Sequence, residues 1–568
     1  MQIIKSLLKL IVFICPFFAA AQSTFLPLGD KGYQLIDRLE IKYQTNTDLN
    51  FSTIKAYNRR YIVAEAEYLD SLRRLSPSDS NYSPLKLTAV DEYNLARFYM
   101  NNTEWVTKGS KESFGSKKPI LNALYKTQAN MIEVNAKDFF LAVNPILQVH
   151  AGKASGMDDP LYLNTRGFNA RGMIGKRIGF FTSITENQER GPLFFQQKVG
   201  ELRAVPGVGF YKGFKKSGVD YFDARGYITF NAAKYVDIQF GFDKNFIGNG
   251  YRSLFLGDFA NSNLFLKLNT KIWKFNYQNL FMELQPQFIK RGDSLLDRKY
   301  AAMHHLSINL TKWLNVGLFE GIIFGRKNKF DFMYMNPIIF YRHIEGTIGS
   351  PDNAMAGFDF KANVAHRFQF YGQILLDEFK LNQIRANTGW WANKWALQLG
   401  AKYIDAFGIS NLDLQFESNR VRPFTYSHYN SVANFTHYNQ PLAHPLGANF
   451  QEFIGVLKYQ PAPRWYVNAR IIYYKQGLDS LNGRNYGGNV FKDNNTRSGE
   501  YGYNVGGGRK ATCFNGMAHV AYELRENLYI ELTAQQRNFK IENVATQNNS
   551  TMFTAGIRFN IAKREYDY

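Results

Sequence analysis

Residues Val236 to Phe242 read V-D-I-Q-F-G-F. Val236, Ile238, Phe240 and Phe242 fall on one face of a strand, and Asp237, Gln239 and Gly241 fall on the other. The same two-faced pattern recurs along almost the whole chain. Beyond the first residues, no apolar run reaches the ~18 to 20 residues that a spanning helix needs. Lipid offers no partner to a backbone N–H or C=O, so strands that cross a membrane must close on themselves. The expected fold class is an all-β transmembrane barrel.

The first 21 residues bear on the compartment. Lys5 and Lys9 supply a basic start, Leu10 to Phe18 an apolar core, and Ala19-Ala20-Ala21 an A-x-A cleavage site. A secretory leader cut near Ala21 is expected, with Gln22 leading the mature chain and the cell outer membrane as destination. Cys15 lies between Ile14 and Pro16 inside the apolar core, without the small preceding residue of a lipid-anchoring signal. Cleavage leaves Cys513 alone, which excludes an internal disulfide and a cysteine-based metal site.

Composition fits strands, tight turns and polar loops: 16% aromatic residues, 45 Gly against 17 Pro, and a mean hydropathy of −0.33 over 568 residues. The formal charge is +21, or +19 once Lys5 and Lys9 leave. Such an excess favours anionic neighbours: outer-membrane lipid and lipopolysaccharide, and acidic surface polysaccharide, rather than nucleic acid.

Residues 22–105 differ in kind from the rest of the chain. Asp30 can cap a helix through Tyr43 with Leu35, Ile36, Leu39 and Tyr43 on one face. Asn58 can cap a second, bearing Ile62, Ala66 and Leu69, and Thr88 a third, bearing Val90, Leu95 and Phe98. A small helical bundle is expected here, either periplasmic or plugging the inner mouth of the barrel. A linker rich in Lys, Ser and Gly (Lys108 to Lys118) opens a pre-barrel segment, residues 106–138, and the barrel proper follows over 139–568.

Short connections of one kind separate the alternating segments: Gly175-Lys176, Ala233 to Tyr235, Thr270 to Trp273, Thr311 to Trp313, His366 to Phe368, Asn393-Lys394-Trp395, Pro463 to Trp465 and Arg525 to Asn527. Most set an aromatic ring beside a basic residue, as a girdle at the headgroup level does, and all eight are assigned to the periplasmic rim. Eight such turns with both ends in the periplasm give ~18 strands, beginning near Phe139. In the last, Ala555 and Ile557 face outward, while Arg558 faces a lumen that tolerates its change to Gln. The remaining residues lie in long extracellular connections, notably Asn187 to Tyr221 and Phe407 to Gly447, the latter carrying Tyr426, His428, Tyr429, Phe435, His437, Tyr438 and His444. Aromatics among Asn, Gln and His suit sugar rings, and equally suit packing of loop on loop.

Other motifs carry little chemistry. His304-His305 is expected to open a strand, where alternate side chains face opposite sides, so the two rings cannot readily share an ion. His428, His437 and His444 lack metal-site spacing. Gly506-Gly507-Gly508-Arg509-Lys510-Ala511 lacks the ending of a phosphate loop, and Arg291-Gly292-Asp293 reads as a tight turn. No catalytic constellation stands out, so a non-enzymatic protein without metal or cofactor is expected.

Three strings resemble capsule-assembly outer-membrane proteins of the Wzi type: Gly241-Phe-Asp-Lys-Asn-Phe-Ile-Gly-Asn-Gly-Tyr-Arg-Ser253, Tyr334-Met-Asn-Pro-Ile-Ile-Phe-Tyr-Arg-His-Ile-Glu345 with Gly349-Ser-Pro-Asp-Asn353, and Asn439-Gln-Pro-Leu-Ala-His-Pro-Leu-Gly-Ala-Asn-Phe450. Phe25-Leu-Pro-Leu and Leu35-Ile-Asp-Arg-Leu-Glu40 extend the likeness, which is strongest to the RemB-like, gliding-motility members. The resemblance implies an ~18-stranded barrel with an N-terminal helical bundle that organises or anchors surface polysaccharide, with gliding or secretion machinery as further partners. It makes Asp243, Lys244, Asn249, Tyr251, Arg252, Asn336, Tyr341, Arg342, Glu345, Asp352, Asn353 and His444 polysaccharide-binding candidates. Lys244, Arg252 and Arg342 are expected at a basic extracellular mouth. The stretch 334–353 mixes charge with apolar residues and is expected to fold back on the barrel, where Arg342 and Glu345 either bind acidic sugar or pair with each other. The rivals are a general porin, which requires an open lumen, and a barrel subunit of a secretion or adhesin complex.

Overall fold

A computed structural model describes residues 23–44, 52–74, 87–107, 114–121, 123–175, 177–289, 293–544 and 548–568. The leader, residues 108–113 of the linker, Lys176, Arg291 and Gly292 lie outside the described residues. Eighteen long antiparallel strands, from Phe139–Ala154 to Asn548–Phe559, form a closed barrel. Closure is made by the last strand against the first, in register from Met552 opposite Ala154 to Phe559 opposite Leu147.

Alternation sets the facing. In Val236–Asp243, Phe240 and Phe242 are exposed on the outer wall, while Asp237, Gln239 and Gly241 are buried. In the last strand Phe553, Ala555 and Ile557 point outward. Arg558 points inward but does not meet bulk water: it bonds Glu531 at 2.9 Å, beside His150 and His519. The expectation that Arg558→Gln is harmless is therefore withdrawn, because Glu531 would lose its only always-charged partner among the described residues.

Eight short turns line one rim and nine longer connections the other. Seven of the eight expected turns are found there. Asn393-Lys394-Trp395 is not one of them: it begins a descending strand, Lys394–Tyr403, at the rim of long connections. The eighth short turn is 404–411, between Lys394–Tyr403 and Leu412–Val421. Phe407 thus lies at the inner rim, and the long connection runs over 422–449 only.

The N-terminal residues form three helices, α1 (Gly32–Tyr43), α2 (Arg59–Arg74) and α3 (Ala89–Met100). Asp30 accepts the Gly32 N–H at 2.7 Å, Asn58 accepts the Arg60 N–H at 3.0 Å, and Thr88 with Asp91 forms a complete capping box. Leu35, Ile36, Leu39, Ile62, Leu69, Leu95 and Phe98 meet in one core. The unit is seated in the short-turn end by ion pairs. Arg38 bridges Asp91 to Asp405 and Asp413, Lys402 bonds Asp37 at 2.8 Å, Lys361 bonds Glu40 at 2.6 Å, and Lys31 bonds Glu523 and Glu526.

Most of the space above is filled. The connection 244–262 descends into the lumen, where Phe246–Ile247 pairs with Ile54–Lys55 from the helical unit. Leu254, Phe255 and Leu256 pack there against inward Leu280, Met303, Phe319 and Leu375, and against Tyr426, Phe435 and Leu442 of the 422–449 connection. This half of the barrel has an apolar core inside its wall. The connection 191–217 carries α4 (Leu193–Leu202), whose Phe194 and Phe195 contact Tyr566 and Tyr568. These belong to residues 560–568, which leave the last strand at the inner rim and run up the lumen.

A charge on the lipid-facing wall is costly near the midplane, by about 2–4 kcal/mol for Arg. Ile557→Arg is expected to lose up to that much in folding titrations into lipid vesicles, and less the nearer the site lies to the rim; an unchanged folding free energy would show that the position does not face lipid.

Candidate functional site

Where the lumen is not filled by apolar side chains, a polar chamber of about 830 Å³ remains. Its floor is the segment from Phe25 to Asp37, its roof the 244–262 connection, and residues 561–568 form its inner post. Five sequence-derived candidates converge on it: Asp243, Lys244, Asn249, Tyr251 and Arg252. They line an internal space rather than the exposed mouth expected for Lys244 and Arg252.

Local geometry explains the inward course. Glu417, on an inward face, accepts the backbone N–H groups of Tyr251 (2.6 Å) and Arg252 (3.1 Å) and the Tyr371 hydroxyl (2.9 Å). A Cβ at Gly250 would collide with that carboxylate, so glycine is required for the approach. Asn249 bonds Thr53 of the helical unit, and Gln373 bonds both the Leu254 N–H and the Ile247 carbonyl. Arg252 bonds Asp567 at 2.9 Å, and the Tyr251 hydroxyl donates to the same carboxylate at 2.6 Å. Arg470 joins Tyr251 to Glu565 at 2.7 and 2.8 Å. The string Gly241 to Ser253, singled out in the sequence, therefore acts as a strut.

The chamber wall is cationic, with Lys and Arg outnumbering Asp and Glu about two to one. Lys244 donates to the carbonyls of Gly207 and Asp258 at 2.6 and 2.7 Å. Burial, and after it the neighbouring Arg225, pushes its ammonium down to about 8. Arg225, Arg470 and Arg564 share this wall and had no motif to announce them; the run Arg564-Glu565-Tyr566-Asp567-Tyr568, charged and aromatic after the last strand, was the readable sign.

The other candidates lie elsewhere. Asn353 donates to the Ala433 carbonyl at 3.0 Å under the 422–449 connection. His444 is fully buried, bonded to Glu452 at 2.7 Å, and accepts the Leu446 N–H on Nδ1. Asn336, Tyr341, Arg342, Glu345 and Asp352 belong to the connection 325–352, which folds back on the outer wall. Arg342 and Glu345 pair at 2.6 Å. His304 and His305 sit mid-strand on opposite faces, His305 bonded inward to Asp359 at 2.7 Å. Among the described residues no group of His, Cys, Asp and Glu is arranged to hold a metal ion.

The outer rim carries an aromatic ridge that the sequence reading missed. Trp391 donates to Glu500 at 2.7 Å, with the Arg497 guanidinium 3.9 Å from its ring centre, and Lys380 lies 5.0 Å from Trp390. Backbone bonds from Gly502 to Thr388 and from Tyr503 to Gly389 join the two connections. At Gly389, φ is +69° and a Cβ would stand 2.8 Å from the Tyr503 nitrogen. Tyr501 is exposed beside it.

The family described as capsule assembly protein Wzi matches over residues 137–558, and the chain belongs to it. No curated protein sequence matches the chain. The fold is similar to that of Wzi from Escherichia coli, an outer-membrane protein involved in group 1 capsule assembly and described as a carbohydrate-binding β-barrel. The TM-score is 0.53 at 13% identity, covering 96% of this chain and 100% of that one. OprD of Pseudomonas aeruginosa gives a TM-score of 0.41 at 11% identity, covering 73% and 94%. For OccAB2 of Acinetobacter baumannii the values are 0.40, 9%, 74% and 97%.

Burial pushes His428 and His437, both in the 422–449 connection, down to about 4 from an ordinary 6.5. Their docked state favours neutral rings, so its stability is full above about pH 6.5 and falls as pH drops towards 4. Protection of the amides in 422–449, with the intrinsic pH dependence of exchange divided out, is expected to fall between about pH 7 and about pH 5. Protection that stays unchanged, or falls equally in the double variant His428→Gln, His437→Gln, would contradict this.

Proposed function

We propose that the protein is a non-enzymatic barrel that holds surface polysaccharide at the outer membrane. The observation that carries this reading is the match to the capsule-assembly family over most of the barrel, in a chain whose lumen is occupied by its own segments. A general porin requires an open lumen, and the apolar core of Leu254, Phe255 and Phe319 stands where that path would run. The N-terminal residues 22–105 serve in this reading as the inner plug, after removal of a leader near Ala21.

Two sites share the work. The ridge of Trp390, Trp391, Arg497 and Tyr501 supplies stacking and hydrogen bonds to a polymer at the outer face. The chamber set, Asp243, Lys244, Asn249, Tyr251 and Arg252, contributes Lys244 and Arg252 to the cationic wall of the lumen, which favours an acidic glycan. Asn353 and His444 support the roof, and Asn336, Tyr341, Arg342, Glu345 and Asp352 act through the fold rather than through sugar. A role in gliding, or with secretion machinery, rests on sequence resemblance alone.

Purified protein is expected to bind acidic surface polysaccharide, more weakly as salt rises, because the rim cations Lys380 and Arg497 are screened over about 8–10 Å at physiological ionic strength, whereas the chamber cations are screened less. Trp390→Ala with Tyr501→Ala should lower affinity roughly tenfold, from about 0.5–1.5 kcal/mol per ring. Failure to bind either acidic or neutral glycans from the protein's own cell surface would end the polysaccharide reading.

A further inference from the structure

The connection 325–352 does not rise from the rim as an extracellular loop does. It folds down over the outer wall, against side chains that alternation points at lipid. His304 and Glu320 are register partners on that wall, 3.8 Å apart. A charged or polar group there is costly in hydrocarbon. The connection covers both: the Tyr341 ring, fully buried, lies 4.0 Å from the His304 ring, and the Arg342 N–H donates to Glu320 at 3.0 Å. Farther along, the outward Tyr277 hydroxyl donates to the Pro337 carbonyl at 2.6 Å. Tyr334 packs on outward Phe324 and donates to Asp352 at 2.6 Å, and Arg326 clamps Asp352 and Asp331.

Depth follows from the register. His304 stands five residues above Asn309, the lower end of its strand. At ~3.3 Å per residue and a tilt of ~40°, that is about 13 Å, half of an apolar band ~25 Å tall. The cover therefore runs from Phe324 at the outer end of its strand, where Tyr334 packs, down to about the midplane at His304, where the short helix α5 (Tyr341–Thr347) begins, and this span is the depth of the outer leaflet. It turns outward a run that no aqueous surface favours: Phe332 is 76% exposed, Ile338 83% and Phe340 76%, with Met333 and Met335 between them. Leu318, two residues from Glu320 on the same face, and its register partner Phe358 are exposed on the same outer wall.

We propose that residues 332–340 lie among the acyl chains of the outer leaflet, and that this connection is a lateral lipid anchor replacing the apolar band where the wall itself is polar. Continuity with the lipid-facing wall selects lipid as the occupant rather than a second copy or another protein. The proposal is independent of polysaccharide binding.

The test is a nitroxide label at Ile338→Cys in the chain from Gln22 to Tyr568, which lacks Cys15, reconstituted in phosphatidylcholine vesicles; native Cys513 is buried and leaves the label specific. Collision with oxygen is expected to exceed collision with a water-soluble nickel chelate, as at a Leu318→Cys control and opposite to Leu481→Cys on the outer rim. Preference for nickel would place the run in water and overturn the proposal. Low access to both reagents would mean that protein covers it, and would overturn the proposal equally.

Discussion

Eighteen strands fix a circumference through their own hydrogen bonds, and that circumference encloses more space than inward side chains alone can fill. What enters the space decides what the barrel can do. Among those that enter it are three segments distant in sequence: the helical unit from the inner rim, the 244–262 connection from the outer rim, and residues 560–568 rising between them. Each meets the others through groups that would be costly to leave unpaired, so the filling is mutually dependent. Phe246–Ile247 completes a two-stranded sheet only with Ile54–Lys55, and Arg252 finds Asp567 only because the tail turns upward.

The junction between helices and barrel is largely ionic, with an apolar contact where Trp105 packs on Phe140 and Met173. Arg38 is almost wholly buried and faces Asp91, Asp405 and Asp413, with Lys42 also on Asp91 and Asp405. Such a cluster adds little net stability over a well-packed apolar contact, because desolvating the charges offsets most of their attraction. Its effect is on specificity. Once seated, the unit cannot shift without stranding a charge, which costs about 3–5 kcal/mol. The helical unit thereby holds one orientation under the 244–262 connection, and the chamber keeps its shape.

The strands were legible in the sequence because contact with lipid on one side and polar groups on the other enforces a period of two. The caps at Asn58 and Thr88 were legible because they act within three residues. Asn393-Lys394-Trp395 misled because both rims meet headgroups, so a basic residue beside a ring marks a rim without saying which. The course of 244–262 was hidden, since Glu417, Gln373 and Thr53 set it from far along the chain. The mixed character of 334–353 did foretell folding back on the barrel. Which wall it covers depends on His304 and Glu320 facing lipid, a matter of register that composition does not contain.

The most direct test of the filled lumen is electrical. In planar bilayers the full-length protein is expected to show no steady open level, and a variant lacking residues 247–256, whose Leu254, Phe255 and Leu256 form the inner core, should conduct. Steady conductance by the unaltered protein would contradict the account.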